Sequence, residues 1–183
     1  MRVFALHKPR GVLCSTVGEG GADTVYGLLP PGCRGWFAVG RLDKDSEGLL
    51  LFCDDARLAQ RLMDPGHLDK TYVVAVAGFP RDGDLAAMRA GGLVIDGKPV
   101  GPVEARRLGK APRGGTRFEV ILREGRNREV RRLFAAAGFK VRRLVRVAIG
   151  PIVLGELAAG AGRELTAEEV AALVAQLPPR APA

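Results

Sequence analysis

The sequence predicts an α+β fold, a mixed and mostly antiparallel sheet flanked by helices. Three observations predict it. Short β-branched apolar stretches outnumber helical patterns, most of them are linked as hairpins by Gly- or Pro-containing turns, and neither a solenoid-period repeat nor a linker between independent domains interrupts the chain. A length of 183 residues suits one domain, or one domain built as two lobes sharing a cleft.

Val3-Phe4-Ala5-Leu6 reads as the first strand, turned by Lys8-Pro9-Arg10-Gly11 before residues 12–17 extend again as a hairpin-like opening. Gly18 to Gly21 is expected to be flexible, and residues 23–30 to make a short helix that Pro30-Pro31 terminates. Trp36 to Val39 is a strand, followed by a loop and then a buried strand, Leu49 to Phe52. Asp54-Asp55 caps a helix with apolar positions Leu58, Leu62 and Met63, which ends before Pro65.

Lys70 to Gly78 is a central strand whose period of two puts Lys70 and Tyr72 on one face. Asp82 to Ala90 is a helix closed by Gly91-Gly92, and residues 93–100 are a hairpin around an Asp-Gly turn. Val103 to Leu108 and Arg117 to Arg123 are strands on either side of a basic, Gly-rich loop, Gly109 to Gly115. Residues 124–138 read as an amphipathic helix with Asn127 as N-cap, a buried stripe of Val130, Leu133, Phe134 and Ala137, and Gly138 past its end. Stepping about 100° per residue from Val130, Arg131 flanks that stripe while Arg128 and Arg132 lie nearly opposite it.

Val141 to Val147, Ile152 to Leu154 and Leu157 are closing strands. Thr166-Ala167-Glu168-Glu169 is a capping box for a last helix reaching Leu177, and residues 178–183 are expected to be a disordered tail.

Composition excludes several classes. Hydrophobic residues at 47% point to a globular chain, and charge interrupts Met1 to Lys8 too early for a signal peptide or membrane span. Cys14, Cys33 and Cys53 are odd in number and lack C-x-x-C spacing, against disulfides or structural zinc. The reading is a soluble cytoplasmic protein with reduced thiols. A net charge of +8 and a pI near 10 favour a polyanionic partner.

Chemistry is expected first in Gly40-Arg41-Leu42-Asp43-Lys44-Asp45-Ser46-Glu47-Gly48, a charged loop between two glycines that feeds a buried strand. Asp43, Asp45, Glu47 and Gly48 also fall at positions one, three, five and six of a calcium-binding loop, with Asp54 at twelve. Strand-like flanks and Asp in place of Glu at the twelfth position argue against that reading. His7 and His67 have no partner at metal or triad spacing, and no phosphate-binding glycine motif is present. An enzyme built from these residues therefore relies on Asp43, Lys70, Tyr72 and Arg131, without metal or cofactor.

Between Arg123 and Arg146 nine basic residues face only Glu124 and Glu129. A solvated helix face is one explanation. A helix and its following strand carrying the same sign favour a phosphate-tracking surface.

The segments His7 to Gly11, Gly40 to Leu50, Lys70-Thr71-Tyr72 and Glu124 to Arg132, with Arg146 to Gly150, resemble in order and spacing the motifs of the RsuA group of pseudouridine synthases. Glu129 stands where that family usually has Gln, and Leu133 where Met is common. The resemblance implies the pseudouridine synthase fold, with two lobes around a catalytic cleft. It implies a catalytic domain over residues 1–177 resembling the members that lack an S4 RNA-binding module. It also implies isomerisation of a specific uridine in structured RNA, most readily 23S rRNA, by a cofactor-free monomer. The same chemistry on 16S rRNA or tRNA, and a non-catalytic RNA-binding or ribosome-assembly role, are the alternatives.

On that resemblance Asp43 is the catalytic carboxylate, acting as nucleophile at C1′ or as base at C2′. Arg131 keeps it ionised, and Tyr72 stacks on the uracil. RNA contacts are expected from Arg41, Lys70, Arg126, Arg128, Arg132, Arg142 and Arg143. A stacked base hides C1′, so the target must be flipped, with Arg41 filling the vacated space or holding a phosphate.

Overall fold

The computed structural model describes residues 1–18, 21, 23–95 and 97–179. In chain order these form β1 (Val3–Lys8), β2 (Phe37–Val39), β3 (Glu47–Cys53), α1 (Ala56–Met63), β4 (Lys70–Val76), α2 (Ala86–Ala90), β5 (Val94–Ile95), β6 (Lys98–Pro99), β7 (Glu104–Lys110), β8 (Thr116–Leu122), α3 (Glu129–Ala136), β9 (Val141–Ile149), β10 (Ile152–Val153), β11 (Gly162–Glu164) and α4 (Ala167–Ala175). The fold is mixed α+β, and β1–β3, β1–β11, β2–β3, β5–β6, β7–β8 and β9–β10 all pair antiparallel. Among the described residues no helix is long and apolar enough to cross a membrane. The chain packs as two compact units, Met1–Lys70 with Arg146–Ala183, and Thr71–Val145.

The first unit is organised on β3. Leu49, Leu50, Leu51, Phe52 and Cys53 are all wholly buried, because both faces of the strand are covered. Leu49, Leu51 and Cys53 pack with Leu58 and Leu62 of α1 and Leu173 of α4. Leu50 and Phe52 pack on the other face with Phe4, Leu6, Val25 and Trp36. A continuous apolar run is what such a strand requires.

Caps fix both helices of this unit. Asp55 accepts from the Arg57 and Leu58 amides at 2.8 and 2.9 Å, starting α1. At α4, Thr166 Oγ1 accepts from the Glu169 amide at 3.2 Å, and Glu169 accepts in return from the Thr166 amide at 2.9 Å. The Arg163 guanidinium, bonded twice to Glu169 at 2.7 Å, holds that carboxyl down at about 2. The contribution of Glu169 is therefore full above its ordinary value of 4.5 and is lost as pH falls toward 2. Thr166→Ala removes the reciprocal cap and is expected to cost about 1 kcal/mol. A thermal melt should show it as a drop of roughly 2–4 °C.

In the second unit β7 and β8 form a hairpin with a register irregularity between Arg107 and Gly109. Phe118, Val120 and Leu122 of β8 and Val130, Leu133 and Phe134 of α3 are all buried, and the Phe118 and Phe134 ring centroids lie 5.6 Å apart. On β4, Tyr72, Val74 and Val76 are buried while their neighbours are half-exposed, the alternation expected of a strand with one covered face.

Several expectations need correction. Residues 12–17 make no strand; Leu13 forms only an isolated bridge to Thr24, and β1 instead pairs with β3 and β11. The short helix at 23–30 is a 3₁₀ turn over Val25–Leu28, with a second at Pro31–Cys33. Met63 is exposed, and Ala59 takes the inward place on α1. Leu157 lies outside any strand.

Asn127 does not cap α3. The helix starts at Glu129 after Arg128, whose φ of 51° is the only positive value among described non-glycine residues. The buried Glu129 carboxylate reaches back to the Arg126 amide at 3.1 Å and the Glu129 amide bonds the Arg126 carbonyl at 3.2 Å, so a closed turn over residues 126–129 leads into the helix without a side-chain cap. Pro178 accepts a bond from Arg61 at 2.8 Å, so the expected tail begins anchored; its residues 180–183 lie outside the described residues, as does Asp96 of the expected Asp-Gly turn. The three cysteines are free, and burial pushes the Cys33 and Cys53 thiols up.

Candidate active site

The loop between β2 and β3 is shaped by its glycines and strapped from beneath. Gly40 has φ of 78° and Gly48 of 114°, values that favour a residue without Cβ. Leu42 is buried and its amide donates to Cys14 Sγ at 3.4 Å, which leaves Arg41 exposed and Asp43 half-buried. The Ser46 amide bonds the Asp43 carbonyl at 3.0 Å, and the Gly11 amide bonds the Lys44 carbonyl at 2.7 Å. Two turns, one after β1 and one within the loop, are thereby locked together.

Below them lies Lys8. Its side chain is wholly buried, and Nζ donates to the Ser46 carbonyl at 2.8 Å and to the Pro9 carbonyl at 3.1 Å. Burial drives its pKa down, while the Cys14 sulfur and the Asp43, Asp45 and Glu47 carboxylates pull it back up. A buried ammonium thus braces the loop that carries Asp43. Sequence reading passed over Lys8 except as part of a motif, although the alternation Phe4, Leu6, Lys8 along β1 places it on an inward face.

Arg146 was passed over in the same way. It is buried, donates from Nε to the Leu49 carbonyl at 2.7 Å, and its backbone lies so close to Gly48 that a Cβ there would sit 2.2 Å from the Arg146 carbonyl oxygen. The start of β3, and with it the end of the loop, is fixed by this contact.

Those contacts also remove the calcium reading. Glu47 opens β3, so positions five to twelve of the supposed calcium loop run extended for roughly 20 Å and cannot close on one ion. His7 Nδ1 and His67 Nδ1 lie 2.6 and 3.0 Å from the Leu157 and Arg61 carbonyls, which places both histidines in the scaffold.

The first unit therefore holds Arg41, Asp43 and the half-buried Lys70, and the second holds the other expected residues. Tyr72 is buried on β4. Arg131 is half-buried on α3 and donates from Nη1 to the Val141 carbonyl at 3.3 Å. Arg128 and Arg143 are exposed and Arg132 is half-buried.

Arg126 differs from them. Its guanidinium bonds Glu124 at 2.5 Å and the Lys98 and Pro99 carbonyls at 3.3 and 2.9 Å, clamping the β5–β6 hairpin. Arg142 similarly holds the Arg113 carbonyl at 3.2 Å.

A half-buried carboxylate on a strapped loop is suited to attack carbon or remove a proton from a fixed position. The chain is also similar to known proteins. The family model described as RNA pseudouridylate synthase matches residues 2–136. An uncharacterized RNA pseudouridine synthase of Mycobacterium tuberculosis (strain H37Rv) is 42% identical over 174 residues, covering 93% of this chain and 68% of that protein. Ribosomal large subunit pseudouridine synthase B of Pseudomonas aeruginosa is 39% identical over 176 residues, covering 92% of this chain and 44% of that protein, so the chain spans under half of that relative. A crystal structure of a pseudouridylate synthase superposes with a TM-score of 0.83 at 34% identity, covering 94% of this chain and 73% of the other.

Proposed function

The chain belongs to the RNA pseudouridylate synthase family, and from that premise we propose that it isomerises one uridine of ribosomal RNA, in the large subunit, to pseudouridine. The observation that carries the reading is the braced loop: Asp43 half-buried over the wholly buried Lys8. The relative named for the large ribosomal subunit supports the choice of RNA.

In this reading the N1–C1′ bond breaks, the uracil turns, C5 bonds to C1′, the C5 proton leaves to solvent and N1 takes up a proton in exchange. Asp43 attacks C1′ or removes the C2′ proton to give a glycal. Tyr72 stacks on the base and Arg131 keeps Asp43 ionised. Arg41 holds the place of the flipped nucleotide, and Lys70 steadies the backbone. Arg128, Arg132, Arg142 and Arg143 meet phosphates, while Arg126 acts through the hairpin it holds. The enzyme works as a cytoplasmic monomer, without metal or cofactor.

Large-subunit rRNA transcribed with uridine tritiated at C5 tests this. The purified protein should release one equivalent of tritium per RNA; no release from any rRNA transcript would refute the reading.

A further inference from the structure

At one end of the second unit three short segments converge around an exposed aromatic ring. Phe79 is 67% exposed, although the backbone on either side of it is held firmly. The Ala77 amide bonds the Lys140 carbonyl at 2.9 Å, Thr116 Oγ1 bonds the Gly78 carbonyl at 3.1 Å, and Arg107 donates to the Pro80 carbonyl. Gly115 passes so close to Val76 that a Cβ would lie 2.0 Å from the Val76 carbonyl oxygen, and the Phe139 ring lies against Gly78.

The surrounding charge has one sign. Residues 76–81, 109–117 and 139–143 contain no acidic residue and carry Arg81, Lys110, Arg113, Arg117, Lys140, Arg142 and Arg143, all exposed. Arg142 ties the 111–115 turn to this group through the Arg113 carbonyl at 3.2 Å. Asp82, next in the chain, is paired with Arg89 at 3.3 Å. A rigid, solvent-facing ring costs hydration in a free protein, and a rim with this excess of exposed cations selects a polyanion to cover it.

We propose that this end of the second unit is a separate RNA-contact patch, on which Phe79 stacks an unpaired base of the substrate RNA while the surrounding cations hold its phosphates. A flat ring accepts any base, so the patch reads single-strandedness near the target and not sequence. The proposal rests on the rRNA reading above. It assigns Phe79 to affinity and leaves the isomerisation itself to Asp43.

Binding of a fluorescein-labelled oligouridine to the intact protein, measured across a salt series, tests it. Phe79→Ala should weaken affinity about 10-fold, as expected for one stacked base, with an unchanged salt slope. Phe79→Trp should restore affinity. Lys110→Ala should instead lower the salt slope by about 0.7, as expected for one lost single-strand phosphate contact.

Tritium release at saturating RNA should be the same for Phe79→Ala and wild type, because the ring takes no part in the reaction. Wild-type affinity and salt slope in both alanine variants would overturn the patch, and would leave a protein-binding surface as its alternative. A protein that binds oligouridine through Phe79 yet releases no tritium from rRNA would instead overturn the catalytic reading alone.

Discussion

Asp43→Asn is expected to lower pseudouridine formation by about 10³-fold or more while the protein stays folded. Asn matches Asp in shape but neither attacks carbon at C1′ nor takes a proton from C2′, so both candidate mechanisms stop at the same substitution. Three bonds that hold the course of the loop do not involve the Asp43 carboxylate. The Ser46 amide bonds the backbone carbonyl of residue 43, the Gly11 amide bonds Lys44, and Lys8 Nζ bonds Ser46. Single-turnover kinetics beside a thermal melt separate the two effects. Turnover within about 10-fold of wild type would exclude Asp43 as the reacting group.

Gly48→Ala is expected to be the most damaging single-methyl change in the loop. Its φ of 114° is strained for any L side chain, and the added Cβ would lie 2.2, 2.5 and 2.9 Å from the Arg146 carbonyl oxygen, nitrogen and carbonyl carbon. Those atoms belong to the backbone of β9, whose residue 146 is held by its own side chain on the Leu49 carbonyl, so neither strand can yield cheaply. Strain and overpacking together should cost about 3 kcal/mol or more, roughly 6–12 °C in melting temperature. Gly11→Ala is the control: φ is 92°, yet nothing lies within 4 Å of the new methyl, so backbone strain of about 1–2 kcal/mol is all it meets. Equal melting temperatures for the two variants would contradict the role given to the Gly48 contact.

What could be read in advance followed how local the cause was. β3 was legible because burial on both faces demands an unbroken apolar run, and α4 because Thr166 and Glu169 are three residues apart and cap each other. β11 was not. Gly162-Arg163-Glu164 is exposed and patternless; it is a strand because it pairs with β1, where Gly162 lets the Phe4 ring approach. Two lobes were expected from the family resemblance, but their borders were hidden, since they fall inside β4 and β9 and leave no linker in the composition.

At the candidate site the loop and its carboxylate were visible, since charge between two glycines before an apolar strand is a local signal. The brace was not, because Lys8 meets Ser46 across 38 positions of sequence, and Arg146 meets Leu49 across 97. Arg126 carried the opposite lesson. Its place among basic residues suggested a phosphate contact, whereas its donors hold a hairpin that no sequence spacing connects to it.

In the proposed function Asp43 makes one particular pseudouridine in ribosomal RNA. Mapping every pseudouridine in the rRNA of cells whose only copy of the gene carries Asp43→Asn tests it most directly. The expected result is the loss of one large-subunit position with all others unchanged; a complete map, identical to that of wild-type cells, would contradict it.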